Sequence, residues 1–525
     1  MQFHVVLAAE TMGYVRARTV FVQLLSLVAS VGHVLSEPLD TAKVCQYMQC
    51  TDDGSRLTLQ FNNTLWKALN RQSNVAFDLT SWNWAELDSV VEENRTFEII
   101  FNGLEIPLID ISQGHESVTI LNLDDNQITT VEPEAFMNFK NMVTLSLRGN
   151  MITVVNELVY QPNSLQHLDL SNNWITDIKG LKTFALSRLT HLNLSYNRLE
   201  SVRTELSKLE ALETLDLSHN SIRKGDRPII LPQALRRLLL HHNELTEWPF
   251  ESLPYTLTDL SLSFNRLELT KDAPDIRKLD LSSNRLASFC GDCFPLLEEL
   301  DLSSNYFEEF PKFGKLTGAT IRKVSFNRMP NLRTLDKSAF EDTEHLQELE
   351  ISFCPRLATI ASHTFTGLKE LERLDLSYNA LQQVPEDMIN WKAIKQGVDL
   401  QGNPINCNCS MQWLVDKVIP AMHSHRELHK LFPELRCAQP AMYKDYLVAY
   451  LTVHDNLLCL KYREMNLPGM ELVVQSMKEQ RQMQIVRAQK IILACLIVGI
   501  IFMSLCLAYV KLQHPRHIVR PLYYS

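Results

Sequence analysis

Histidines and cysteines are the residues of this 525-residue chain whose spacing could support metal or redox chemistry. His425 and His429 are four residues apart, so both imidazoles could lie on one helical face and share a metal ion, and His423 is close by. No third ligand follows at a matching spacing, so we interpret this segment as a solvated polar helix. Nucleotide-binding loops and common hydrolase or metalloprotease motifs are absent from the sequence. We therefore predict no metal site, no cofactor and no catalytic activity.

A C-x-x-C pair, Cys290-Gly-Asp-Cys293, is the other candidate for chemistry. Such pairs carry out redox reactions when they follow a strand in a thioredoxin-like unit, and that context is missing here. We predict instead that Cys290 and Cys293 form a structural disulfide that closes a small loop.

Binding is the chemistry that the sequence favours. Four ring side chains each stand directly before an Asn, at intervals of 22 or 23 residues, with a pair of arginines nearby: Tyr196, His219, His242 and Phe264, with Arg236 and Arg237. Aromatic and arginine side chains carry much of the energy of protein interfaces, so we predict a ligand-binding patch. The alternative is that this position simply tolerates any side chain. Titration of His219, His241 and His242 would make binding depend on pH.

The elements that would position these side chains are repeats. The pattern L-x-x-L-x-L-x-x-N occurs in thirteen copies, 19 to 25 residues apart, and eleven of them keep the Asn. Alternating leucines indicate short strands, and parallel stacking of the strands buries a leucine core that no single repeat could form. The Asn amide can pair with backbone groups that the following turn would otherwise bury unpaired. The sequence predicts an α/β leucine-rich-repeat solenoid with a curved parallel sheet on its concave face.

One repeat has a cysteine, Cys354, in place of the Asn. A buried thiol that substitutes in the Asn column is one interpretation, and an intermolecular disulfide is the other.

The amino terminus is typical of a secretory signal peptide, which we place at residues 1–36. Arg16 and Arg18 precede an apolar run from Val20 to Val34, and cleavage would follow Gly32 or Ser36. An uncleaved anchor is the alternative.

Near the carboxyl terminus, residues 491–510 contain no charged side chain. A helix of that length spans about 30 Å, one hydrocarbon thickness, so we predict a transmembrane helix. Residues 467–490 would form a helix-prone juxtamembrane segment and residues 511–525 a cytoplasmic tail. We expect a single-pass plasma-membrane protein with an extracellular amino-terminal ectodomain.

Cysteines flank the repeats, which we place at residues 118–405. Cys45 and Cys50 begin a predicted amino-terminal cap with degenerate repeats (residues 37–117), and we expect them to pair. A carboxyl-terminal cap (residues 406–466) holds four cysteines, for which the sequence allows three pairings: Cys407, Cys409, Cys437 and Cys459. Four N-x-S/T sequons fit a glycosylated ectodomain: Asn62, Asn94, Asn193 and Asn408.

The paired cysteines at each end, the leucine and asparagine repeats and the helix-prone segment that follows make this chain similar to extracellular leucine-rich-repeat proteins. It most resembles the membrane-anchored branch of the mosquito leucine-rich immune protein family. The resemblance of the cap implies disulfides from Cys407 to Cys437 and from Cys409 to Cys459. It also implies a homodimer or a heterodimer with another leucine-rich-repeat protein.

Together these features predict a cell-surface recognition protein or co-receptor of innate immunity that binds a protein or microbial ligand. A developmental or neuronal adhesion receptor is the alternative. The net charge of −10 argues against a nucleic-acid partner, because such a partner requires a basic face.

Overall fold

The computed structural model describes most of the repeat region and part of its flanks: residues 48–52, 56–61, 96–109, 115–131, 135–155, 164–179, 181, 186–202, 205–223, 228–335, 337–391, 394–418 and 434–448. The predicted signal peptide, juxtamembrane segment, transmembrane helix and tail lie outside these residues, as do His423, His425 and His429. Within the described part, no helix combines the length and apolarity needed to cross a membrane.

Most strands of the described residues belong to one sheet. In chain order these strands are β1 (Met48–Asp52), β2 (Arg56–Phe61), β3 (Thr96–Ile100), β5 (Val118–Asn122), β7 (Thr144–Ser146), β8 (His167–Asp169), β9 (His191–Asn193), β10 (Thr214–Asp216), β11 (Arg237–Leu239), β12 (Asp259–Ser261), β13 (Lys278–Asp280), β14 (Glu299–Asp301), β15 (Lys323–Ser325), β17 (Glu348–Glu350), β19 (Arg373–Asp375) and β20 (Gly397–Asp399). The strands stack in chain order, and each of the thirteen repeats contributes one of them.

The remaining strands form three two-stranded pairs within the described residues. They are β4 (Leu108–Ile109) with β6 (Thr130–Val131), β16 (Thr334–Leu335) with β18 (Thr359–Ile360), and β21 (Ile405–Asn406) with β22 (Cys437–Gln439).

The pairing of the main sheet is parallel from β2 onward, while β1 pairs with β2 in antiparallel fashion. Central leucines pair with central leucines, as Leu215 does with Leu192 and Leu238. These leucines are buried and the residues on either side of them are not, which is the period-two pattern expected of a strand with one apolar face. The leucine-rich-repeat solenoid is confirmed.

The described residues show the β-sheet of the predicted α/β solenoid, and helix is scarce among them. They hold one α-helix, α1 (Lys315–Thr320), a π-helical turn (Leu414–Val418), and short 3₁₀ turns at Leu206–Lys208, Gly291–Cys293, Lys337–Phe340, Glu386–Met388 and Cys409–Met411. In the described residues the chain between strands runs through turns and short 3₁₀ segments rather than a longer helix. The described part of the solenoid is therefore mainly β.

Buried asparagines connect successive repeats. Asn220 is 8% exposed; its Oδ1 accepts from the Leu199 amide at 3.0 Å, and its Nδ2 donates to the Leu194 and Leu217 carbonyls at 3.0 and 3.1 Å. Ten other repeats repeat this arrangement in the same column of buried Asn side chains. Each amide satisfies backbone groups of its own repeat and of the one before it, as buried polar groups require.

Cys354 occupies the same column as these asparagines. Its side chain is 0% exposed, and its Sγ accepts from the Met329 amide at 3.4 Å. Burial raises the pKa of this thiol to about 11. A thiol so enclosed cannot reach a second chain, so the buried-substitute interpretation holds and the intermolecular disulfide does not.

The residue before each Asn adopts a left-handed backbone conformation. The φ angle is 54° at Tyr196, 52° at His219 and +70° at Gly149 and Gly402. A side chain at Gly149 would also collide with Asp125, and one at Gly402 with the ring of Tyr378. We call this place in each repeat the left-handed position.

Two compact units meet in sequence at Pro404 and Ile405, close to the predicted end of the repeats. The second unit contains β21, β22 and a disulfide between Cys407 and Cys437 with a Cα–Cα distance of 5.5 Å. Cys409 carries an exposed free thiol, and its expected partner Cys459 lies outside the described residues. Cys50 is disulfide-bonded, and its expected partner Cys45 is likewise outside them.

Candidate functional site

Four side chains at consecutive left-handed positions form a continuous stack of rings. The ring centroids of Tyr196 and His219 are 4.0 Å apart, those of His219 and His242 4.1 Å, and those of His242 and Phe264 4.0 Å. Interplanar angles of 9° to 16° make every contact face to face. We call these four residues the ring stack.

The backbone explains why the rings coincide. The amide of each ring residue donates to a carbonyl of the next repeat, as Tyr196 does to Ser218 at 3.0 Å and His219 to His241 at 2.9 Å. These hydrogen bonds continue the pattern of the parallel sheet past the ends of the strands. Equivalent side chains of neighbouring repeats therefore lie one strand spacing apart. The left-handed φ is the same in each repeat and sets the rings parallel. The end rings are the most accessible, with Tyr196 55% and Phe264 51% exposed.

His241 stands edge-on against the stack. Its ring is 5.2 Å from that of His219 at 90° and 5.4 Å from that of His242 at 79°. Burial, and then the neighbouring imidazoles, lower the pKa of His219 and of His242, while Asp216 opposes this at His219. Because a lowered pKa favours the neutral form, these rings act as neutral, weakly polar surfaces at neutral pH.

Beside the stack, the open face of the sheet forms a depression of about 460 Å³. Arg237, Leu239 and His241 line one part of it, and residues of β12 to β15 line the rest. Two lysines in the depression are paired across neighbouring strands: Lys278 with Glu299 at 2.7 Å and Lys323 with Glu348 at 2.8 Å.

These ion pairs belong to a row of alternating charge along the first residues of successive strands. The row runs Arg237, Asp259, Lys278, Glu299, Lys323, Glu348 and Arg373, and strand register places each next to the following one. Exposed pairs of this kind add little stability, typically below about 1 kcal/mol. The row instead gives the depression a defined pattern of both charges, and sequence reasoning missed it.

A second row, at the last residues of the strands, is acidic in seven of the thirteen repeats: Asp169, Asp216, Asp280, Asp301, Glu350, Asp375 and Asp399. Burial, followed by the charges of Asp280 and Glu350, raises the pKa of Asp301 even though Ser303 donates to its carboxylate. Burial and Asp375 likewise raise the pKa of Asp399 to about 6. The negative charge of these carboxylates makes this row unsuited to an anionic partner.

A second pair of rings stacks further along the same column. Phe353 and Tyr378 are 4.6 Å apart with an interplanar angle of 5°, and Arg328 lies 5.7 Å above Phe353. Both rings occupy left-handed positions; Tyr378 stands directly before Asn379, whereas Phe353 stands before Cys354, so a search for rings before Asn finds only Tyr378 of the two.

Of the two predicted arginines, only Arg237 lines the depression. Arg236 is exposed one residue before β11 and is absent from that lining. The reason is the alternation of side chains along a strand, which sends neighbouring residues in different directions.

The other site residues have mixed placements. A disulfide joins Cys290 to Cys293, so these sulfurs are unavailable to a metal although Asp272 lies beside them.

The amide of Asn193 is half-buried and donates to Asp169 at 3.3 Å, and Asn408 accepts from Ser410 in the second unit. Asn62 and Asn94 lie outside the described residues, and glycosylation at all four positions stays a prediction.

Comparison with known sequences identifies the repeats. The family model "Leucine rich repeat" matches residues 116–175, 163–222 and 344–405. Between the last two of these segments, β11 to β15 continue the same sheet.

Several known proteins are similar to the chain. Tsukushi of Mus musculus is 29% identical over 276 residues, which cover 50% of this chain and 72% of Tsukushi. CD180 antigen of Mus musculus is 26% identical over 397 residues, covering 65% of this chain but only 56% of that protein. Among solved structures, the TLR13–ssRNA13 complex has a TM-score of 0.51 at 19% identity, covering 66% of this chain and 56% of TLR13, a likeness of fold alone.

Proposed function

We propose that this leucine-rich-repeat protein acts outside the cell in innate immunity, as a recognition protein or co-receptor that binds a protein or microbial ligand on the open face of its sheet. The observation that carries the proposal is the exposed ring stack from Tyr196 to Phe264. No catalytic step is proposed, because the face offers surface and charge rather than a nucleophile next to a base.

The ring stack has no evident structural purpose. Every repeat is left-handed at this position, which disfavours residues other than Gly, Asn and Asp by about 1 to 2 kcal/mol, and other repeats place Gly149, Asn172 or the small Ser283 there. The rings lie outside the leucine core, so burial in the core does not offset the free-energy cost of the left-handed backbone. A strained and exposed aromatic surface is the kind of feature that binding sites retain.

The neighbouring charges complement the rings. The depression offers Arg237 and the alternating row to a polar partner, while the stack offers an apolar strip. Rings surrounded by polar residues match the composition of protein interfaces. The TLR13 structure holds single-stranded RNA, but the acidic row and the net charge of −10 disfavour such a ligand here.

The immune assignment rests on the resemblance of repeats and cap to the mosquito immune family. Extracellular location is supported by the disulfides and the predicted signal peptide, since structural disulfides persist mainly outside the cytosol. We propose plasma-membrane anchoring through residues 491–510 and a dimer with a second leucine-rich-repeat chain as parts of the same hypothesis. Infection-induced expression in blood cells would agree with it, whereas expression confined to developing neurons would favour an adhesion receptor.

Proximity labelling tests the ring stack on living cells. The full chain, fused to a labelling enzyme, is compared with a variant carrying Tyr196→Ser and Phe264→Ser, because serine already occupies left-handed positions at Ser283 and Ser304. We expect the variant to lose surface partners that the wild-type chain labels.

The matched control carries Phe353→Ser and Tyr378→Ser, which removes the same number of rings from the same column. It should keep the partners of the wild-type chain. If the Tyr196/Phe264 variant reaches the surface normally and labels an unchanged set, the ring stack is not the recognition surface.

A further inference from the structure

Three histidines of two neighbouring repeats converge at the middle of the ring stack. Each of His219, His241 and His242 offers one ring nitrogen such that all three lie within 4.8 Å of one another. The Nδ1 atoms of His241 and His242 are only 3.2 Å apart.

The convergence of two consecutive residues is unusual, because side chains in a strand point alternately to opposite sides. The left-handed φ of 54° at His242 breaks that alternation and turns its ring back toward His241. His241 itself stands where the flanking repeats have the small buried residues Ser218 and Ser263. The larger imidazole therefore projects from the sheet beside the rings.

The nitrogen geometry resembles that of a metal site. Two nitrogens bound to one tetrahedral Zn²⁺ at about 2.0 to 2.1 Å lie roughly 3.3 to 3.4 Å apart. The His241–His242 nitrogen separation of 3.2 Å is close to that value, and a change in the ring torsions of His219 would bring in a third ligand.

The protonation state of the cluster also suits metal ligation. A metal is bound by neutral imidazole, which is the form that burial and mutual repulsion favour at His219 and His242. Asp216, the acidic group that acts on His219, adds a favourable charge.

We propose that His219, His241 and His242 bind one Zn²⁺ ion through their imidazole nitrogens, with a fourth coordination position open to solvent. Three histidines with one open position are a common zinc donor set. This inference goes beyond the proposed function, because the metal would bind whether or not the ring stack recognises a ligand.

Zinc titration of the full chain tests the site. The protein is purified in detergent through an affinity tag that lacks histidine, stripped with EDTA and titrated with Zn²⁺ against a chromophoric chelator. The key variant is His241→Ser, which installs the residue of the flanking repeats and leaves the ring stack whole. The control is His191→Ala, which removes an imidazole from the stacked pair His167–His191 on the same face.

We expect wild-type protein and His191→Ala to bind one equivalent of Zn²⁺ with equal affinity. His241→Ser should bind it at least about tenfold more weakly, since even loss of an outer-shell partner costs 10- to 100-fold. Co²⁺ in place of Zn²⁺ should give the visible absorption of a tetrahedral ion in wild type and not in His241→Ser. Melting temperatures measured in EDTA should agree, which shows that the variants are folded.

Two results would overturn the site. One is wild-type protein that binds no more Zn²⁺ than His241→Ser. The other is loss of the Zn²⁺ equivalent in His191→Ala but not in His241→Ser.

Discussion

Removal of one buried amide in the asparagine column, by Asn220→Ala, should destabilise the solenoid by about 2 to 3 kcal/mol. The structure distinguishes what this substitution leaves unpaired. The carbonyl of Leu194 also accepts from Asn197 at 3.1 Å, and that of Leu217 also accepts from Asn243 at 3.0 Å. Both carbonyls therefore keep a partner in the variant.

The Leu199 amide has no second acceptor of this kind. It donates to Asn220 Oδ1 at 3.0 Å, and alanine offers it nothing in a place that water does not reach. An orphaned buried donor costs about 1 to 3 kcal/mol, and the shared bonds lost at the two carbonyls add a further fraction. The expected loss of unfolding free energy in Asn220→Ala is therefore about 2 to 3 kcal/mol.

The assay is chemical denaturation of the full chain, followed by circular dichroism. Asn172→Gly is the control, because Asn172 is also an Asn of a repeat but is exposed at a left-handed position that glycine adopts freely. It should leave stability within about 0.5 kcal/mol of wild type, as surface changes usually do. Asn220→Asp should be at least as harmful as alanine at pH 7, since it sets a carboxylate against two carbonyls. An Asn220→Ala protein as stable as Asn172→Gly would refute the reasoning.

Two further predictions concern ionisable groups whose pKa is raised by partial or full burial. Because Asp399 has a folded-state pKa of about 6, above its unfolded value, the folded protein holds its proton more tightly and stability falls as pH rises from about 4 to 6. Asp399→Asn should therefore raise the melting temperature at pH 7.5 and change it little at pH 4; an equal gain at both values would contradict this. Cys354 should resist alkylation by iodoacetamide in the native protein at pH 8 and react in denaturant, as read by mass spectrometry, and rapid native labelling would show that the thiol is not enclosed.

The sequence predicts the sheet well because its signal is strong and local. Each L-x-L alternation specifies one strand. Because each repeat stacks on the next, consecutive strands are neighbours, and no long-range strand pairing has to be predicted. What it does not reveal is how little helix follows the strands in the part of the chain that the structure describes. The helical content depends on how the return segments pack, and leucine spacing carries no information on that.

The charged row shows a different limit. Arg237, Asp259 and Lys278 are separated by 22 and then 19 residues, so no fixed period reveals that they are adjacent. Strand register brings them side by side because the repeats differ in length only in the segments between strands. Aligning the repeats on their leucines would have recovered the row, whereas reading each motif alone could not.

The ring stack and the histidine cluster depend on one backbone feature. The order Tyr196, His219, His242, Phe264 follows from sequence, but face-to-face contact at 4.0 to 4.1 Å requires the same left-handed φ in every repeat. At His242 that φ also directs the ring against His241, a neighbour that strand geometry would place on the opposite side. Recognition and metal binding would thus share His219 and His242. Because His219 must change its ring torsions to reach the metal, Zn²⁺ binding would alter the stacking of this ring between Tyr196 and His242.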